Sequence, residues 1–143
     1  MMSQNIEEQK KVAQFIRSLQ EELEVLQRSQ RAAGWKHRDA VIKHVYSDYK
    51  EQINVLEKKS KWEELTFKCN VIQGILKLLL PHRDIYGMYD IDSMKMELEE
   101  LLKLAEKKEE YEMADLIYRN IDRFLYVVTT LFTQMNDYNC KLN

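Results

Sequence analysis

Glycine and proline are scarce in this sequence, which has three glycines and one proline among 143 residues. Sheet proteins need frequent turns between short strands, and glycine and proline supply many of those turns. Their scarcity therefore argues against a sheet fold. Lysine, glutamate, leucine and glutamine are frequent instead, which is typical of long helices. We predict a single all-α domain over residues 1–143, long enough to bury a core without disulfides or metal.

Cysteines and long hydrophobic runs are also few. Cys69 and Cys140 have no CxxC spacing, which favours free thiols in a reducing compartment, with one disulfide between them as the alternative. The longest apolar run, Ile75 to Leu80, includes Lys77 and is far too short to span a bilayer. No basic leader followed by an apolar segment opens the chain. We expect a cytoplasmic protein with no membrane partner.

Neither sign of charge is in excess, because 22 lysines and arginines face 24 aspartates and glutamates. The molecule as a whole is therefore not marked as a binder of polyanions. The sequence also lacks a glycine-rich phosphate loop, and no serine or cysteine nucleophile stands beside a histidine. These absences favour a protein that works through its surfaces, without a cofactor, over an enzyme.

Apolar residues recur at three- and four-residue steps, which predicts amphipathic helices throughout the chain. Gly34 is placed to end the first helix, because glycine takes the left-handed conformation without strain. Ser60 and Glu63 form a Ser-x-x-Glu capping box that predicts a helix start, and Pro81 ends that helix. The five predicted helices cover about 5–33, 35–59, 61–80, 93–107 and 109–139.

The last predicted helix carries the longest apolar stripe of the sequence. Its apolar surface is more than the short fourth helix can cover, which predicts packing against the third helix or a second subunit. Helices of this length favour an elongated bundle with long, coiled-coil-like antiparallel hairpins. We predict a three-helix part at 1–80, a loop at 81–92 and a helical hairpin at 93–143, in a homodimer or larger oligomer. The stripe consists of Ala114, Ile117, Ile121, Phe124, Val128, Leu131, Met135 and Tyr138.

The turn of that hairpin resembles the UVR motif of bacterial excision-repair subunits, which also occurs in some Clp ATPases and their regulators. The resemblance spans about residues 98–124 and implies a hairpin that pairs with another hairpin to join two proteins. This chain has Asp115, Tyr118 and Arg119 where the family usually has alanine, arginine and aspartate. The residues that match are Ala105, Glu109, Glu110, Tyr111, Glu112, Met113, Ala114, Ile117 and Ile121.

Physical reasoning on these residues agrees with a hairpin. Ala105 and Ala114 would let the two helices approach closely, and Tyr111 can cover that contact with its hydroxyl in water. The acidic residues favour the positive N-terminal end of the last helix. The alternative is that any antiparallel hairpin needs small residues and an acidic helix start at this point. The predicted partner-binding residues are Glu109, Glu110, Tyr111, Glu112, Ala114 and Tyr118.

A second resemblance, of a different class, overlaps the same helices. All-α nucleotide pyrophosphatases of the MazG and dimeric dUTPase type carry E-x-x-E on one helix and E-x-x-D on the next. Glu97 and Glu100, followed by Glu112 and Asp115, have this spacing. The resemblance implies four carboxylates that would hold Mg²⁺ between antiparallel helices, because Mg²⁺ prefers hard oxygen ligands and can bridge phosphates.

Two other segments are candidate contact sites. Arg31, Trp35, Lys36 and Arg38 gather bases around an aromatic at a predicted helix–helix corner, which could grip a phosphate backbone and stack a base. The alternative is a charged corner with one anchoring tryptophan. The tyrosine-rich loop at 85–89 is either a binding edge or a lid over the end of the bundle.

The sequence therefore predicts a non-catalytic adaptor or regulatory protein that binds a protein partner through the fourth and fifth predicted helices. Its lysine, asparagine, isoleucine and tyrosine content suggests an AT-rich genome, and a phage or mobile-element regulator of a host protein is one form of this hypothesis. One alternative is a Mg²⁺-dependent nucleotide pyrophosphatase. A second is an accessory protein that binds nucleic acid.

Overall fold

The computed structural model describes the backbone of residues 2–142 and the side chains of residues 6–126. These residues form four α-helices and no β-strand, which confirms the all-α class. The sequence predicted five helices, so the count is wrong by one. A single 3-10 turn at Leu80–His82 follows the second helix. The helices are α1 (Met2–Tyr46), α2 (Gln52–Leu79), α3 (Ile91–Lys107) and α4 (Tyr111–Leu142).

Gly34 does not end the first helix, because α1 continues through it to Tyr46. An interior glycine costs about 1 kcal/mol relative to alanine, which a helix stabilised by tertiary packing can absorb. The indole of Trp62 on α2 lies against this position. A Cβ atom on Gly34 would stand only 3.3 Å from Trp62 Nε1, so the glycine allows close approach of the two helices.

The chain breaks its helical path at residues 47–51 instead. Asp48 and Tyr49 both have left-handed backbone angles, with φ of 58° and 64°. The N–H of Tyr49 donates to the carbonyl oxygen of His44 at 2.8 Å, which closes α1. The N–H of Glu51 donates to Nδ1 of His44 at 3.1 Å, so one histidine fastens both sides of the corner.

The predicted helix start at Ser60 is wrong for a related reason. Because the corner lies at residues 47–51, α2 begins at Gln52 and runs without interruption through Ser60 and Glu63. A Ser-x-x-Glu pair inside a helix is an ordinary pair of surface residues, and Glu63 lies 3.9 Å from Lys59 one turn earlier.

The chain divides into two compact units, Met1–Leu19 with Gly74–Asn143 and Gln20–Gln73. We call them unit 1 and unit 2. The predicted three-helix part at 1–80 contributes residues to both. Within residues 2–142, none of the helices combines enough length with enough apolar character to traverse a bilayer.

The core of unit 1 joins the start of α1 to α3 and α4. The rings of Phe15 and Phe124 meet with centroids 5.6 Å apart, and Phe124 is fully buried. Asn120 is the one buried polar side chain among residues 6–126, and its amide donates to the carbonyl oxygen of Leu116 at 2.9 Å. The buried apolar residues of this unit include Val12, Phe15, Ile16, Leu19, Ile75, Leu79, Met94, Leu98, Ile117, Ile121 and Phe124.

Unit 2 packs the second half of α1 on α2. The imidazole of His37 stacks on the indole of Trp62 at 5.7 Å, and Gln30 donates to the hydroxyl of Thr66 at 3.0 Å. Cys69 is a free, buried thiol, and its burial raises its pKa above the ordinary value of 9.0. Such a thiol is a packing group with low reactivity. Cys140 lies outside the described side chains.

Asp90 caps the N-terminus of α3. Its carboxylate accepts hydrogen bonds from the Ser93 hydroxyl at 2.8 Å and the Ser93 N–H at 3.3 Å. These bonds lower the pKa of Asp90 below its ordinary value of 3.8, with a smaller contribution from His82. The carboxylate therefore stabilises the folded state above the unfolded-state pKa, and this contribution is lost as the pH falls through the folded-state pKa.

We expect Asp90→Ala to lower the urea midpoint of unfolding at pH 7, because the first turn of α3 loses its cap. The difference from wild type should shrink as the pH is lowered below about 3.8, since Asp90 of the unfolded chain then takes up a proton while the folded cap, with its lower pKa, still holds its charge. Circular dichroism at 222 nm across a pH series measures both effects. Asp90→Ser is the matched control, because serine caps without titrating. An equal difference in urea midpoint between Asp90→Ala and wild type at pH 7 and pH 3 would contradict the role of Asp90 as a charged cap.

Candidate functional site

The turn between α3 and α4 consists of Lys108, Glu109 and Glu110, as the sequence placed it near Lys108. Glu109 takes a left-handed backbone angle, with φ of 58°. The N–H of Glu110 donates to the carbonyl oxygen of Ala105 at 3.0 Å, and the N–H of Glu109 donates to that of Glu106 at 3.1 Å. This is the Schellman arrangement, usually built on glycine. The turn reverses the direction of the chain within three residues, so that α3 and α4 pack against each other as a hairpin.

Two small residues lie where the helices leave this turn. Ala105 is 2% exposed and Ala114 is 8% exposed, which places both in the packing of the hairpin. Their short side chains allow the two helices to approach closely. Ala114 therefore lies in the packing of the hairpin.

The other five predicted partner-binding residues lie on the surface. Glu109, Glu110 and Glu112 are exposed around the turn. Tyr111 and Tyr118 are 68% and 59% exposed, so most of each ring faces outward. An acidic, aromatic surface thus surrounds the start of α4.

This surface continues along α4 as a stripe of five exposed residues, which we call the Tyr–Asp stripe: Tyr111, Asp115, Tyr118, Asp122 and Tyr126. Their spacing of four, three, four and four residues keeps them on one side of the helix. Tyr126 is 72% exposed, and the carboxylate of Asp115 pairs with Arg119 at 2.9 Å. Asp122 and Tyr126 are not among the predicted partner-binding residues. The signal was present as a second periodic stripe beside the apolar one.

The loop before α3 is an ordered turn. The carboxylate of Asp84 accepts hydrogen bonds from the N–H groups of Tyr86 and Met88 at 2.8 and 2.9 Å. The N–H of Asp84 donates to the carbonyl oxygen of Met88 at 2.8 Å. Gly87 has φ of 80°, a conformation that glycine adopts without strain.

The base of this loop is fastened to α1. The side-chain amide of Gln9 donates to the Tyr89 carbonyl oxygen at 2.7 Å and accepts from the Tyr89 N–H at 2.6 Å. Tyr89 is buried, whereas Ile85 and Tyr86 are 92% and 83% exposed. The loop therefore has a buried base and an apolar tip that faces outward.

The four carboxylates of the pyrophosphatase alternative are not assembled into a metal site. Glu97 lies 2.9 Å from Nε2 of His82, and Asp115 is paired with Arg119. Among the described side chains, no three His, Cys, Asp or Glu residues are placed to hold a metal ion.

The candidate nucleic-acid residues lie on the exposed surface of α1 and not at a helix–helix corner, because α1 does not end at Gly34. Arg31, Trp35, Lys36 and Arg38 are all exposed. The indole of Trp35 is 68% exposed, and the Arg38 guanidinium carbon lies 5.7 Å from the centroid of its ring. The tryptophan that anchors this region is Trp62.

Comparison with known proteins gives no family model that matches this chain, and neither a curated protein nor a solved structure matches it.

Proposed function

We propose that this protein is a non-catalytic adaptor or regulator that binds a protein partner through the Tyr–Asp stripe of the α3–α4 hairpin. The observation that carries the proposal is the exposure of three tyrosines on one side of α4. Tyrosine is enriched at protein interfaces, where its ring buries a large apolar area and its hydroxyl finds a polar partner. Exposed tyrosines at helical spacing supply such anchors on a preformed helix.

The chemistry of the stripe defines the kind of partner. Asp115 and Asp122 alternate with the tyrosines, and three glutamates surround the turn above them. A surface that carries arginines would pair with the carboxylates and place its guanidinium groups over the tyrosine rings. We therefore propose a partner with a basic surface, in which arginine is the main contact residue.

The proposal extends to the assembly of the chain. We propose that α3 and α4 form a coiled-coil-like hairpin in an elongated bundle, and that the chain works in the cytoplasm as a homodimer or larger oligomer. The support is the apolar stripe of the sequence, which repeats at coiled-coil spacing along the last helix. A hairpin of this kind can join two chains by pairing with its own copy.

The test compares two pairs of tyrosines. In Tyr111→Asp/Tyr118→Asp, both substitutions lie on the stripe; the matched control, Tyr46→Asp/Tyr86→Asp, changes two tyrosines that are 86% and 83% exposed elsewhere. We expect the stripe variant to lose at least about 100-fold in affinity for proteins captured by the wild type, because tyrosine anchors often contribute about 2 kcal/mol each. Affinity capture followed by titration of the captured protein measures this loss.

Light scattering on the same three proteins reports whether the stripe also mediates self-association. Circular dichroism should show unchanged helical content, because the two substituted tyrosine rings lie outside the core. Retained capture by the stripe variant, or equal losses in both variants, would refute the proposal. A loss of affinity only in the Tyr46→Asp/Tyr86→Asp control would show that the partner binds at the loop tip or at the end of α1.

A further inference from the structure

Unit 2 contains a groove of about 320 Å³ between α1 and α2. The groove is basic, because its lining includes three lysines and one carboxylate, and small residues open its α1 side. These lining residues are Ala32, Ala33, Lys36, Glu57, Lys58 and Lys61.

The lysines come together only through the fold. Lys36 lies on α1, whereas Lys58 and Lys61 lie on α2, beyond the corner at residues 47–51. Lys61 also faces Glu64, but their charged atoms are 4.0 Å apart on the surface, where such a pair contributes little. Three ammonium groups around one concavity attract an anion, since each one adds to the same local field.

The stretch of α1 that contributes to the groove has an excess of positive charge in its sequence. From Arg28 to Arg38 the helix contains no carboxylate. Arg31 and Arg38 are exposed as well, but their spacing from Lys36 places them on other faces of α1 than the groove lysine.

Trp35 adds an exposed aromatic surface to the same stretch of α1. It precedes the groove residue Lys36, and its indole is 68% exposed. The other tryptophan, Trp62, is held by His37 and Gly34 within the helix packing. An exposed indole next to lysines is the combination that binds single-stranded nucleic acid, because bases stack on the ring while phosphates meet the ammonium groups.

We infer that unit 2 binds a single strand of nucleic acid, with backbone phosphates at Lys36, Lys58 and Lys61 and a base stacked on Trp35. A duplex fits these residues less well, because its bases are already stacked and its rigid backbone cannot follow a groove of this size. The site is separate from the Tyr–Asp stripe, so either can fail without the other.

The first test removes the groove charges. Fluorescence anisotropy with a labelled oligothymidylate of about 12 nucleotides, a length within the usual single-strand site sizes, measures affinity from low to moderate salt. Lys36→Gln/Lys58→Gln/Lys61→Gln should bind at least about tenfold more weakly at about 50 mM salt. The slope of log affinity against log salt should also fall by about 2, because roughly 0.7 counterions are released per phosphate contact.

The matched control removes the same charge from exposed lysines of α3, as Lys95→Gln/Lys103→Gln/Lys107→Gln. It should bind with affinity close to wild type. Trp35→Ala should weaken binding about tenfold at all salt concentrations, because it removes a stacking surface and no charge. Both triple-lysine variants should still bind the protein partner that is captured through the Tyr–Asp stripe.

Three outcomes would overturn the inference. One is that Lys36→Gln/Lys58→Gln/Lys61→Gln binds the oligonucleotide with wild-type affinity, or that it and the α3 control variant lose equal affinity. Another is tighter binding of a duplex of the same sequence than of the single strand. The third combines two results: inorganic polyphosphate displaces the oligonucleotide at equal phosphate concentration, and Trp35→Ala does not change the affinity. Together they would show that the groove is a nonspecific anion site.

Discussion

Phe124→Ala is expected to lower the free energy of unfolding by about 3–5 kcal/mol, the usual cost of removing a buried phenylalanine ring. Phe124 is fully buried and contacts Phe15 at a ring-centroid distance of 5.6 Å. Arg123, its neighbour, reaches over the Phe15 ring and donates to the Ser18 hydroxyl at 3.1 Å. The ring therefore connects α4 to the start of α1, and its loss leaves a cavity that these neighbours can fill only in part.

Urea unfolding followed by circular dichroism measures this change. Hydrogen exchange of α3 peptides shows whether the loss of stability occurs in unit 1. Tryptophan fluorescence cannot show this, because Trp35 and Trp62 both belong to unit 2. The control is Tyr118→Ala, which removes an exposed ring from the same helix and should cost less than about 0.5 kcal/mol. A loss below about 1 kcal/mol for Phe124→Ala would show that the ring is not a core residue.

Ala114→Asp is the second large effect, because it introduces a carboxylate at a site that is 8% exposed and packed against α3. A charge buried without a partner costs about 3–5 kcal/mol, so we expect the hairpin to lose stability and not only its binding surface. The deficit should shrink as the pH is lowered, since the neutral acid is less costly to bury. Thermal and urea unfolding from pH 7 to pH 4 measure both effects.

Ala13→Asp is the matched control, because Ala13 is exposed on α1 within the same unit. It should change the free energy of unfolding by less than about 1 kcal/mol. Equal stability of Ala114→Asp and wild type at pH 7 would mean that this part of the hairpin opens to water. In that case Ala114 could again be a contact residue for a partner.

The hairpin was predictable because its signals are local. The apolar residues of α4 are spaced to fall on one side of a helix, and the acidic residues at 109–112 mark its start. Ala105 and Ala114 stand at the two ends of the turn, as the sequence indicated. Hydrogen bonds between residues three to five apart fix such a turn, so a short window of sequence contains most of the information.

The helix boundaries in the first half of the chain were not predictable in the same way. Gly34 carries a strong helix-end signal, yet the indole of Trp62 from α2 occupies the space beside it and α1 continues. The true corner uses left-handed angles at Asp48 and Tyr49, and no glycine marks it in the sequence. A side-chain bond from His44, seven residues before its partner Glu51, holds it. Tertiary packing therefore outweighed local preference at Gly34, whereas local bonds that carry no glycine signal hold the corner.

The sequence by itself determined the helical class, the turn at residues 108–110 and the two periodic stripes of α4, because helical spacing and turn bonding depend on residues that are close along the chain. Only the tertiary structure decided that Trp35 is outside and that Lys36 lines one groove with Lys58 and Lys61. Burial and charge clustering depend on residues more than 20 positions apart, and no local spacing rule connects them.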